Sequence, residues 1–257
     1  MRKCLAKARR AGWQVLRRVL SHRVLWFRGR SFEIEHWRNY LEWQTYEVDR
    51  LSRLDGNTEL QTEIKELAGG FPPSRLRILD VGAGPLTRLG KRWGGCHIEI
   101  VAIDPLAEEY SKLLHSYGIA PSVSTIFGEA ERMVDAGVVR SEYFDIAYAH
   151  NSLDHCYNPL AAVDQMLKAV RPGGIVYLDH RVKESTRTAA HGFHQWDFSE
   201  RGGNFVIDDA RHQIDVSERF KTCAEISCTT VERDNSSIGE LERDFRVIVI
   251  LRRHLRP

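Results

Sequence analysis

The run Leu79-Asp80-Val81-Gly82-Ala83-Gly84-Pro85-Leu86-Thr87 places an acid directly before two glycines one residue apart. A strand ending at Asp80 and turning through Gly82, Ala83 and Gly84 can bring bare backbone against a ligand. A loop that cradles a pyrophosphate wants a third glycine, and this chain has Thr87 there. A carboxylate beside the loop also suits a cationic group better than a phosphate. "VAIDPL" then ends a second strand at Asp104, placed to accept from two ribose hydroxyls, with Pro105 and Leu106 following into the same site. Gly128-Glu129-Ala130 offers a carboxylate for an amino group and a backbone N–H for a ring. Together these residues call for an adenosine that carries a positive charge and no phosphates. S-adenosylmethionine fits that description.

A second set of residues could move a proton. His150, His155 and His180 follow the ends of the fourth and fifth strand-like runs, and His194 lies in the segment after the fifth. Imidazole is the natural general base near neutral pH. His155 is the first choice, with Asp154 orienting it or binding a substrate hydroxyl. The plainer alternative is a capping Asp154 and a polar turn at His155. His194 in "HGFHQWDF" is the rival, because Gln195 and Asp197 could hold hydroxyls and the Trp196 indole could cover a sugar ring. There the alternative is a lid packed by Phe193, Trp196 and Phe198. His180 serves either as base or as hydrogen-bonded support. Asp154, His155, Asp179, His180, His194 and Asp197 could converge on a divalent ion, but no fixed ligand spacing supports one, and no metal is assigned. Cys156 reads as a small buried residue.

The elements that must position these residues alternate. Strand-like "RLRILDV", "IEIVAID", "SVSTIFG", "FDIAYAH" and "GIVYLDH" are interleaved with helix-like "LTRLGKRW", "LAEEYSKLLHSYG", "EAERMVDAG" and "PLAAVDQMLKAV". That order predicts a parallel sheet covered on both faces. "CAEISCTTVER" and "DFRVIVILRRH" predict a terminal hairpin, hence one antiparallel strand at the sheet edge. Residues 183–216 form an irregular insertion, with a hairpin expected around Asp208-Asp209. Residues 1–70 read as a basic helical extension, broken at Gly69-Gly70 and Pro72-Pro73, and residues 71–257 as the main domain.

The net charge of +2 hides an asymmetry. Residues 1–30 hold ten Lys or Arg and no acid, so the remainder is acidic. Leu5, Leu16, Val19, Leu20 and Phe27 fall near a helical period in this segment. It is either a membrane-surface helix or a solvated helix packed by one face. No apolar run reaches membrane-spanning length, and the basic start lacks the apolar stretch of a secretory leader. Five scattered cysteines form no C-x-x-C pair. The expected setting is cytoplasmic, with contact to the inner membrane face through residues 1–30 as an option. An acidic core and the absence of an Asn/Asp-Pro-Pro-aromatic run argue against nucleic acid as partner.

Five pieces in order, "LDVGAGPL", "VAIDPL", "FGEAERM", "FDIAYAHNSLDH" and "LKAVRPGGIVYL", make residues 75–182 resemble the core of a class I S-adenosylmethionine-dependent methyltransferase. The resemblance implies an α/β, Rossmann-like sheet of seven strands with the last antiparallel, a helical N-terminal extension and a lid insertion after the fifth strand. It implies cofactor contacts from Asp80, Gly82, Gly84, Asp104, Glu129, Ala130, His150 and Asn151. The family's common loop has a glycine where Leu86 stands. "HNSLDHCYNPL", "GFHQWDF" and "EHWRNYLE" further resemble a bacterial group of methyltransferases associated with polysaccharide and glycoconjugate assembly. The expected activity is therefore O-methylation of a sugar or glycan hydroxyl by in-line displacement. The alternatives are a lipid or small-metabolite acceptor at the membrane surface, or a non-catalytic scaffold that binds the cofactor.

Overall fold

The computed structural model describes residues 20–188, 192–209, 211–233 and 244–255. Helix α1 (His22–Glu42) opens at Ser21, whose hydroxyl accepts the Val24 N–H. It runs unbroken from the end of the basic segment into "EHWRNYLE". Leu25 and Trp26 are buried on it, whereas Phe27 is 57% exposed, so the period read from the basic segment is not the face that packs. Residues 1–19 of that segment lie outside the described residues. Helices α2 (Glu47–Leu54) and α3 (Thr62–Leu67) lead to the sheet.

The strands follow as β1 (Arg77–Val81), β2 (Arg92–Trp93), β3 (Cys96–His97), β4 (Glu99–Asp104), β5 (Thr125–Phe127), β6 (Phe144–His150) and β7 (Val170–Arg181). Helix α4 (Ala107–Ser116) joins β4 to β5, and α5 (Pro159–Ala169) joins β6 to β7. After the short helix α6 (Glu184–Arg187) come β8 (Asp197–Arg201), β9 (Asn204–Asp208), β10 (Gln213–Asp215), helix α7 (Val216–Phe220), β11 (Ala224–Arg233) and β12 (Asp244–Arg253). Seven strands form one sheet in the order β11-β12-β7-β6-β1-β4-β5. β5, β4, β1, β6 and β7 are mutually parallel, and β12 runs antiparallel to both neighbours. The terminal hairpin forms as expected, but its antiparallel last strand is not at the edge. β12 inserts between β7 and β11, and β11 takes the edge. Inserted there, Val247, Val249 and Leu251 are fully buried.

β6 is buried along nearly its whole length, as a central strand covered on both faces must be. Leu79, Ala147, Val176 and Leu178 pack with α5 on one side. Ile78, Ile146, Ile175 and Tyr177 pack with Leu60, Ile64 and Ala68 on the other. Asp145 pins the lower end of this centre: it accepts the Arg77 N–H at 2.9 Å and the Arg171 Nε–H at 2.7 Å. Asp145→Ala leaves that part-buried N–H unpaired, and we expect a loss of about 1–3 kcal/mol in urea unfolding. An unchanged midpoint would show the contact to be neutral.

Two crossovers predicted as helices are not helical. "LTRLGKRW" is a turn leading into the β2–β3 ribbon. Its backbone is claimed by the segment before it: Lys91 N and Arg92 N donate to Thr58 O, and Leu60 N donates to Arg92 O. A Cβ at Gly90 would lie 2.0 Å from Glu59 O. "EAERMVDAG" is a chain of turns in which Gln165 Oε1 of α5 accepts the N–H groups of Val134 and Asp135. In both, tertiary hydrogen bonds override local propensity. In the insertion, β9 and β10 pair around Asp209 as expected, and β8 adds a third strand through a Gly202-Gly203 turn with positive φ at both residues.

Candidate active site

The chain leaves β1 for β4 and β5 on one side, then returns to β6 and β7 on the other. Such a reversal opens a crevice at the carboxyl ends of the strands. Here the crevice is a cavity of about 1200 Å³. Its floor carries Asp80, Gly82, Ala83 and Gly84 from the turn after β1, with Asp104 and Pro105 from the end of β4. Its roof is α1, which contributes Trp26, Glu33, His36, Trp37 and Tyr40.

The glycines are required by space as well as by conformation. Gly82 and Gly84 have φ of +71° and +65°. A Cβ at Gly82 would lie 2.4 Å from Ser152, and one at Gly84 would lie 2.4 Å from the Trp37 ring. Gly82 N and Ala83 N donate to Ile103 O, which ties the loop to β4. The Asp104 carboxylate accepts Gly84 N at 3.1 Å and Leu106 N at 2.9 Å, and so fixes the loop from the other side. Thr87, standing where a pyrophosphate loop has glycine, donates its hydroxyl to Asp80. Burial pushes the carboxyl of Asp80 up to about 6 and that of Asp104 up to about 7.

Of the other residues expected at the cofactor, Ala130, His150 and Asn151 line the cavity. Leu106 is buried beneath it as a donor to Asp104. The structure puts Glu131, not Glu129, at the wall. Glu131 accepts the Tyr157 N–H at 2.8 Å, whereas Glu129 faces the Tyr157 hydroxyl and Arg132. His150 is half-buried, its desolvation lowers its pKa to about 3, and its neutral ring meets Arg88 at 2.8 Å. Asn151 has φ +48°, and its side chain accepts the Arg181 N–H.

Three of the expected chemical residues converge. Asp154 and His155 sit in the turn after β6, and His194 is carried to them by the insertion. Gln195 N donates to Asp154 O at 3.0 Å, which docks the insertion on that turn. His194 Nδ1 lies 2.7 Å from Asp154 Oδ2 and 3.2 Å from His155 Nε2. Burial opposes charge on both Asp154 and His194, but their mutual attraction prevails. The two imidazoles hold the Asp154 carboxyl well below its usual range, and the carboxylate holds His194 above its own.

His180 is not brought to the cavity. It is buried edge-on against Phe198, and burial depresses its pKa to about 4. The expected sugar platform is also used elsewhere. Trp196 is buried with its N–H on Cys156 O and its ring stacked on His22, and Asp197 accepts the Thr186 N–H. Gln195 Oε1 meets His22 Nδ1 at 2.9 Å. None of the three lines the cavity. Instead they bind the insertion to α1 and to its own first turn. The residues missed by sequence reading are Glu33, His36, Trp37 and Tyr40. Their positions fall on one helical face, and a mixed acid, imidazole and aromatic stripe there was the available signal.

Among the described residues no helix is long and apolar enough to cross a membrane. No curated protein matches the chain. Among solved structures, it is similar to a possible histamine N-methyltransferase from Thermotoga maritima, at 14% identity over 89% of this chain and 99% of that one, with a TM-score of 0.49. A SAM-dependent methyltransferase from Methanosarcina mazei is 13% identical over 77% and 100% of the two chains, with a TM-score of 0.47. The YcgJ protein of Bacillus subtilis is 12% identical over 75% and 97%, with a TM-score of 0.44. The family model described as a methyltransferase domain matches residues 52–213, and the chain belongs to that family.

Proposed function

We propose that this protein is an S-adenosylmethionine-dependent O-methyltransferase acting on a sugar or glycan hydroxyl. S-adenosylmethionine is its cofactor and, when bound, supplies an electrophilic sulfonium methyl group. The residues present fit it. Asp80, Asp104, Glu33 and Glu131 make this end of the cavity acidic, and the positive-φ turn at Gly82 and Gly84 exposes backbone. Asp104 would receive the ribose hydroxyls, and Asp80 would face the cationic end. The observation that carries the reading is that the acid-lined glycine turn and the Asp154-His155-His194 cluster share one cavity. A hydroxyl holds its proton tightly, and this cluster is where the acceptor would lose it, with His155 or His194 as general base. Helix α1 covers the cavity above both groups.

The test is methyl transfer from labelled S-adenosylmethionine to a panel of carbohydrate acceptors, with lipid and small-metabolite hydroxyls alongside. Label in a carbohydrate supports the reading. Label confined to the other acceptors moves the substrate class, and cofactor binding with no transfer to any acceptor favours the scaffold.

The raised carboxyls make a further prediction. Ribose hydroxyls need an ionised acceptor, so bound cofactor favours the deprotonated form of Asp104. Affinity for S-adenosylhomocysteine should therefore rise with pH, by roughly tenfold per unit at most, and flatten above about 7. Calorimetry from pH 5.5 to 8 reads this directly, and a flat profile would contradict it.

A further inference from the structure

Asp154 Oδ2, His155 Nε2 and His194 Nδ1 meet at one point, and hydrogen bonding alone does not explain how. Their separations are 2.7, 3.2 and 3.7 Å. His194 Nδ1 has a single in-plane position, which holds either a proton or a lone pair. Both a carboxylate oxygen and an imidazole nitrogen compete for that position. A cation placed between the three atoms satisfies all of them at once, each with its own lone pair.

The distances suit a first-row metal. A circle through three atoms so spaced has a radius of about 1.9 Å, so a point roughly 0.9 Å off their plane lies about 2.1 Å from each. The other nitrogen of each imidazole faces a second carboxylate. His194 Nε2 is 3.8 Å from Glu184, and His155 Nδ1 is 4.0 Å from Glu33. Both separations exceed hydrogen-bond length, and Glu184 pairs with Arg187 at 2.7 and 2.9 Å, so these carboxylates place negative charge behind the rings without hydrogen-bonding them. Asp154 is buried, while the two imidazoles are half-buried and line the cavity, which leaves coordination positions open on the substrate side.

We infer that Asp154, His155 and His194 form a divalent metal site. Two nitrogens and one carboxylate oxygen favour zinc, manganese, iron(II) or cobalt over magnesium or calcium. For what the ion does, the inference rests on the proposed function; whether it binds does not depend on that reading. An acceptor hydroxyl bound to the ion becomes acidic, its O–H bond breaks, and the proton passes to water. The methyl group then bonds to that oxygen as its bond to sulfur breaks. His155 and His194 serve as ligands, and neither has to act as the base.

The experiment titrates the full chain, stripped with chelator, with cobalt(II), following its visible absorption and the bound stoichiometry. S-adenosylhomocysteine binding is measured on the same samples. We expect one cobalt per chain, with roughly hundredfold or greater weakening in Asp154→Ala and His155→Ala, and a smaller weakening in Glu184→Gln. S-adenosylhomocysteine binding should persist in all three, which shows that they fold. Wild-type protein that binds S-adenosylhomocysteine but takes up no stoichiometric cobalt overturns the site and leaves the proposed function standing. Uptake undiminished in both ligand variants also overturns it. Cobalt uptake lost in the variants, in protein that does not bind S-adenosylhomocysteine, supports the site and counts against the proposed function.

Discussion

His194→Ala is expected to lower turnover by roughly 10²–10⁴-fold while S-adenosylhomocysteine binds as in the wild type. The magnitude is that of removing a positioned group which accepts or displaces the acceptor's proton. Binding should survive because His194 stands on the insertion and not on the glycine turn or the end of β4 that carries Asp104. Asp154→Asn should reproduce much of the loss. Its carboxylate holds His194 at 2.7 Å and stabilises the charged ring, and an amide does neither equally. Steady-state transfer and calorimetry on the same preparation separate the two effects. If His194→Ala and His155→Ala were both fully active, the cluster would have no part in the chemistry.

The second large effect is on the cofactor. Asp104→Ala is expected to weaken S-adenosylhomocysteine binding by at least about a hundredfold. Two hydrogen bonds to an ionised acceptor, at roughly 1.5–3 kcal/mol each, exceed the 2.7 kcal/mol that a hundredfold change requires. The same carboxylate also holds Gly84 N and Leu106 N, so its removal loosens the turn as well. Asp104→Asn keeps one acceptor oxygen and should fall between the two. An alanine variant that binds like the wild type would mean that the end of β4 does not contact the cofactor.

The glycine-turn end of the cavity was legible because its signals are local. Asp80, Gly82, Gly84 and Asp104 sit at strand ends, where the backbone turns sharply, and a short window of sequence contains everything that makes them turn. Glu129 shows the limit of this. Its window was read as a helix, but Gln165 of α5 ties Val134 and Asp135 into turns, and Glu131 comes to the wall instead. The convergence of Asp154, His155 and His194 was anticipated only as strand-end clustering. Its geometry depends on Gln195 N docking on Asp154 O, a contact between segments forty residues apart. The α1 roof was illegible for the same reason. Gly29 admits Phe193 so closely that a Cβ would lie 2.2 Å from the ring, and that packing helps seat α1 over the cavity that Glu33, His36 and Trp37 line. The misassigned Trp196 fits the same pattern. As a surface indole it would suit a sugar, but stacking on His22 of α1 buries it.

The most direct measurement is calorimetric titration of the wild-type chain with S-adenosylmethionine and S-adenosylhomocysteine. The proposed function predicts saturable binding of both at one site per chain, weakened by Asp104→Ala. A folded wild type that binds neither would contradict it.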